Sequence, residues 1–297
     1  MTSVARRHPA LTYYALVFLI SWGGILLLAG PGGIPGRPEQ VAKLMPVVLV
    51  ALFLGPSVAS LVCTAWIYGR AGLEDLLARG TRWRVNIRWY ALAMFLAPVL
   101  VGGVLFGLSR ISSEFMPGVV SARDKAGLVW FGVAWGLIGG GFLEELGWTG
   151  FAVPTLRRRH GVFATGLIVG FLWGVWHYLI AFWASGTATG ALSLAGFLPG
   201  MVFYVASLPA YRVLMVWLYD RTESLALAML MHATFSASML ILQPPSIGLA
   251  AGVTWNLMLA GALWLVVGCV TLAGPIQRMT GRAHEGRPAV HARVDRA

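Results

Sequence analysis

Two adjacent carboxylates, Glu144 and Glu145, stand inside the apolar run Gly-Phe-Leu-Glu-Glu-Leu-Gly-Trp-Thr-Gly-Phe at residues 141–151. Two histidines, His177 and His232, stand inside two further apolar runs. The other nine acidic residues and the other four histidines fall in connectors, at helix ends or in the tail, and no lysine or arginine is placed at depth. Ionisable groups in hydrocarbon cost at least about 2.5–3.5 kcal/mol each on insertion scales, so this small set points to function. A carboxylate can take a proton from water, and an imidazole can orient that water or donate to an oxyanion. The same residues could hold a metal ion or relay protons in a carrier. A structural hydrogen-bond network accounts for one such residue more readily than for all four.

These groups require membrane helices to position them. The chain has 297 residues, of which 58% are hydrophobic and 11% charged, with a mean hydropathy of +0.76. Soluble proteins carry about 25% charged residues. Apolar runs of membrane-spanning length recur at 11–30, 45–69, 89–109, 127–156, 161–184, 194–218, 224–242 and 249–274. The expected fold class is therefore all-α: a polytopic membrane protein of about eight transmembrane helices, with the chemistry on helices 4, 5 and 7. One transmembrane domain covers 1–276, and an Arg-, His- and Gly-rich cytoplasmic tail, 277–297, is expected to be disordered. The first apolar run is too long for a signal peptide and reads as a retained helix. Cys63 and Cys269 both lie in apolar runs, which supports neither a disulfide framework nor a cysteine metal site.

The net charge of +11 comes from arginines in short connectors, which fits anchoring at an anionic leaflet and not nucleic-acid binding. Placing the N-terminus inside puts 17 Lys and Arg residues in inner segments, Arg212 among them, and five in outer segments. The positive-inside rule then sets both termini in the cytoplasm. The Arg-rich, Lys-poor composition fits a bacterial plasma membrane. The connector 70–88 sets Leu73, Leu76 and Leu77 against Arg79, Arg82 and Arg84, as an amphipathic segment on the inner surface would.

Depth is a constraint on any shared site. Glu144 lies 13 residues before Arg157, roughly 20 Å from the inner surface at 1.5 Å per residue. His177 falls at a similar depth, roughly 25 Å, and His232 is shallower, at roughly 12 Å. Trp173 shares a helical face with His177, Ser236 with His232, and Thr149 with Glu145. Glu144 and Glu145 are about 100° apart on the wheel and cannot face one centre equally. Gly140 and Gly141 leave room for another backbone beside Glu144.

Three segments together resemble the CAAX-processing and bacteriocin-processing (CPBP) family, which includes the eukaryotic prenyl-protein endopeptidase. They are Glu144-Glu145 followed by Leu-Gly-Trp-Thr, Phe171 to His177, and His232-Ala-Thr-Phe-Ser236. The family pattern is Glu-Glu-x-x-x-Arg, aromatic-x-x-x-His and His-x-x-x-Asn. Here Thr149 replaces the Arg and Ser236 replaces the Asn, which leaves Glu145 without a cation one turn on. The resemblance implies a membrane-embedded endopeptidase acting on a peptide or protein substrate within the lipid bilayer. Its catalytic residues would be Glu144 as general base, His177 orienting the water, His232 with Ser236 at the oxyanion, and Glu145 in support. Trp173 and Phe171 read as packing or pocket lining. Zinc held by His177, His232 and Glu144 is the alternative, with the metal-free form preferred. The site is expected to open towards Arg157–Arg159, the cytoplasmic side. A proton- or cation-coupled transporter and a non-catalytic membrane adaptor are the rival readings.

Overall fold

Long apolar runs can satisfy their backbone polar groups in lipid only as helices, and the helix starts carry local signals. Proline opens the first two helices, at Pro9 and Pro38. Asn86, Asp124 and Ser224 cap later ones, their side chains accepting from the backbone N–H of Arg88, Gly127 and Leu227. The computed structural model describes residues 2–30 and 32–273. Among these, eight helices are long and apolar enough to cross a membrane. They are α1 Pro9–Ala29, α2 Pro38–Gly80, α3 Ile87–Ser109, α4 Lys125–Arg157, α5 Val162–Ala184, α6 Leu194–Thr222, α7 Leu225–Leu242 and α8 Leu249–Ala273. This is the expected all-α architecture. The tail at 277–297 lies outside the described residues.

Departures from regular helix in α2, α4 and, over Phe203–Ser207, α6 shape the interior. Gly69, at φ 64°, kinks α2, so that residues 70–80 leave the line of the span. In α4 the turns widen to π-helical geometry over Gly136–Glu144 and again over Trp148–Ala152. Wide turns are frequent at functional sites, and the carboxylate pair straddles the end of the first, with Glu144 its last residue and Glu145 opening the short α-helical turn before the second.

Small residues let the helices close on one another, as they must where lipid removes the hydrophobic drive for association. On α4, a Cβ at Gly136 would strike the Ala233 carbonyl, and one at Gly140 would lie 2.9 Å from Nε2 of His232. On α5, Gly166 and Gly170 face α6, where added Cβ atoms would meet the Cα atoms of Val213 and Pro209 at 2.5 Å. The first contact seats α7 on α4, and the second seats α6 on α5. Together they place His232 and Arg212 beside the carboxylates.

The segment after Gly69 is less simply amphipathic than its sequence suggests. Leu76 is buried as expected, but Leu77 is exposed and Arg79 points inward. Arg79 donates to the Gly150 carbonyl and the Tyr219 hydroxyl, each at 3.0 Å, and pairs with Asp75 at 2.8 Å. A carbonyl of a widened α4 turn is thus satisfied from another helix.

Candidate active site

Glu144 and Glu145 are both buried but point into different surroundings. Oε2 of Glu144 accepts from two indoles, Trp173 Nε1 at 2.6 Å and Trp148 Nε1 at 3.1 Å. Both donors are neutral. Glu145 sits against a cation: Nη1 of Arg212 lies 2.8 and 2.9 Å from its two oxygens. The Thr149 hydroxyl donates to Oε2 of Glu145 as well. Nδ1 of His232 is 2.6 Å from Oε1 of the same carboxylate. With the guanidinium and hydroxyl donating to Glu145, Nδ1–H of His232 is a third donor. Its other nitrogen, Nε2, is 4.0 Å from Oε1 of Glu144. One imidazole therefore stands between the two carboxylates.

His177 lines the same cavity as Glu144 and His232, with Ser236 and Trp173. Its Nδ1 is 2.9 Å from the Trp173 carbonyl, which can only accept, so Nδ1 carries the proton and the neutral ring keeps its lone pair on Nε2. Tyr204 stacks on this ring, with centroids 4.9 Å apart and planes 15° from parallel. Gly140 makes room for Ser236, because a Cβ there would fall on the Ser236 hydroxyl. The structure thus brings Glu144, His177, His232 and Ser236 to one cavity of about 420 Å³, with Glu145 directly behind His232.

Four sequence-based expectations change. Arg212, counted as an inner-surface residue, is fully buried and supplies the cation that Glu145 was expected to lack. Phe171 is 53% exposed and lines nothing at the site, whereas Trp173 is more than lining: it donates to Glu144, and its ring carries Arg212 at 4.4 Å. The depth mismatch of His232 vanishes, since its Nδ1 meets the Glu145 carboxylate directly. The opening also differs. Lining residues run from Glu144 and His232 to Ala184 and Gln243, at the helix ends away from Arg157–Arg159.

The zinc alternative would draw on His177, His232 and Glu144. Among the described residues no three His, Cys, Asp or Glu side chains gather closely enough to hold a metal. Oε2 of Glu144 is already held by two N–H donors. No step is therefore routed through a metal.

Sequence reasoning missed Arg212, Trp148 and Tyr204. A signal for Arg212 was available. Gly166, Gly170 and Gly174 recur every fourth residue on α5, the small-residue spacing of close helix packing, and the partner helix carries Arg212 between hydrophobic neighbours.

Fold and site define a polytopic helical membrane protein with an embedded carboxylate–histidine centre. Residues 125–238, which hold every residue of that centre, match the family described as Rce1-like, type II CAAX prenyl endopeptidase Rce1-like. The chain is also 21% identical over 239 residues to the protein named CAAX prenyl protease 2 of Methanococcus maripaludis, covering 78% of this chain and 84% of the relative. The resemblance read from the three motifs holds.

Proposed function

We propose that this protein is an intramembrane endopeptidase that hydrolyses a peptide bond with a water activated by Glu144. The observation that carries the reading is the cavity in which a carboxylate fixed by two indole N–H groups faces two imidazoles of defined orientation. The matching family is described as an endopeptidase and the relative is named a protease, which supports a peptide or protein substrate for this chain.

In this reading Oε1 of Glu144 takes a proton from water as the water oxygen bonds to the scissile carbonyl carbon. His177 accepts the second water hydrogen at Nε2 and aims the lone pair. The carbonyl oxygen becomes an oxyanion, held by Nε2–H of His232 and the Ser236 hydroxyl. That donation needs His232 doubly protonated, because Nδ1–H is already given to Glu145. An imidazolium makes the buried charges of Glu144, Glu145, Arg212 and His232 sum to zero. The intermediate then collapses, the C–N bond breaks, and the leaving nitrogen takes the proton back from Glu144. Glu145 and Arg212 touch no substrate; they position His232.

The test compares the peptide termini of membranes carrying wild-type protein with those carrying Glu144→Gln. New termini should appear with the wild type alone. Identical termini in both would overturn the reading, and a wild-type ion flux lost in the variant would favour a carrier instead.

A further inference from the structure

The peptidase reading leaves open from which side a peptide arrives, and the two ends of the bundle are built differently. Every residue lining the cavity lies at or beyond the Glu144–His232 level in one direction. On α4 these are Trp135, Gly140 and Glu144; on α5 they run from Trp173 to Ala184; on α7 from His232 to Gln243. On α2 and α6 they are Leu49 to Phe53 and Phe203 to Leu208. In the other direction the interior next to the site is filled, and the cavity of about 500 Å³ at that end lies at the surface among Arg6, Arg7, Arg158 and His160, away from the carboxylates. Trp148, Thr149, Phe151, Tyr211 and Arg212 are each at most 3% exposed. Beyond them Arg79 ties α2 to α4 and α6, and Arg157 pairs with Asp220 at 2.7 Å.

The filled end is also the basic end. Setting aside Arg212, which is in the site, and the five arginines beyond residue 273, eleven Arg residues lie at the filled end and five Lys or Arg at the hollow end. Short loops rich in Arg stay in the cytoplasm. The hollow end then faces the opposite side of the membrane. Its walls are mostly apolar and aromatic, including Phe53, Trp135, Phe203 and Met239, and they carry no Lys or Arg. Such walls suit uncharged, apolar peptide side chains.

We propose that the site is loaded from the non-cytoplasmic face, and that its substrates are apolar peptide segments exposed on that side and not cytoplasmic chain ends. This rests on the peptidase reading for the nature of the ligand but not for the side of entry.

The entry side can be measured without catalysis. The full chain carrying Cys63→Ala and Cys269→Ala receives one cysteine at a time, Gln243→Cys or Met239→Cys at the hollow end and Arg158→Cys at the filled end. Intact cells are treated with a membrane-impermeant thiol reagent, before and after permeabilisation. The hollow-end cysteines should be modified in intact cells, and Arg158→Cys only after permeabilisation. The reverse pattern, or no modification of Gln243→Cys under either condition, overturns the proposal while leaving the peptidase reading intact. Peptide termini from the comparison of wild type with Glu144→Gln supply the second arm. They should map to apolar segments on the non-cytoplasmic side, and cytoplasmic termini overturn the substrate assignment. If no termini change although the labelling is as proposed, the peptidase reading fails and the substrate assignment with it, while the side of entry stands.

Discussion

Glu144 and Glu145 are neighbours in the chain, identical in chemistry and both buried, yet they live in two different regions of the molecule. Glu144 faces a cavity and is held only by neutral indole donors. Glu145 faces the packed half of the bundle, where a guanidinium, a hydroxyl and an imidazole converge on its two oxygens. A carboxylate with fixed neutral donors and an open side is free to exchange a proton with something that enters. A carboxylate whose oxygens are filled by a cation and two further donors is a structural anion. The difference comes from the turn of the helix, which sends successive side chains about 100° apart, and from which neighbour the glycine faces admit on each side.

The sharpest way to break this comparison is to neutralise each carboxylate without changing its shape. Glu144→Gln keeps an oxygen for both indoles and removes the base. Cleavage, read from membrane peptide termini or from a peptide identified that way, should fall by about 10²–10⁴-fold. The unfolding midpoint in detergent should stay close to wild type. If Glu144→Gln unfolds the protein while Glu145→Gln does not, the two roles are reversed.

The next largest effect belongs to the packed half. Arg212→Met strips the guanidinium from the buried Glu145 charge, a loss of about 3–5 kcal/mol for breaking a buried pair. Denaturation in detergent should show it directly. Glu145→Gln combined with Arg212→Met removes both charges and should recover most of that loss, because the penalty is that of an orphaned ion and not of a missing contact. A double variant no more stable than Arg212→Met would show that the pair contributes through packing alone.

Trp173 joins the two regions, since its N–H meets Glu144 while its ring face carries Arg212. Trp173→Phe keeps an aromatic face and deletes the donor. A hydrogen bond to a charged group contributes about 1.5–3 kcal/mol, and its loss should lower turnover more than stability. Trp148→Phe removes the longer of the two indole bonds and should do less. Equal effects from both would mean that Glu144 is held by burial and not by aimed donors.

How much of this was legible beforehand depends on whether a feature is local in the chain. The eight spans are set by length and hydropathy, and they agree with the helices found. Glu144, Glu145, His177 and His232 stand out because ionisable residues are costly in such spans. Arg212 escaped for the opposite reason: arginines are common near helix ends, and a tally of loop charges absorbed it. Its role depends on the close seating of α6 on α5, which two glycines allow. The direction of the cavity was hidden for a similar reason. A filled interior is a property of several helices packed together, and no residue count along one helix reports it.

Thr149 offers the finest test of the comparison. The family pattern has a cation at this position, and here the cation comes from another helix, leaving Thr149 only a hydroxyl to give. Thr149→Val keeps the branched shape and removes that donor. Glu145 would still hold Arg212 and Nδ1 of His232. The expected loss is therefore that of one hydrogen bond among several, about 0.5–1.5 kcal/mol of stability, with cleavage nearly unchanged. Adding Thr149→Arg to Arg212→Met should restore stability if any cation that reaches Glu145 suffices. Failure of that rescue, with Glu145→Gln still rescuing Arg212→Met, would show that the guanidinium must also lie on the Trp173 ring.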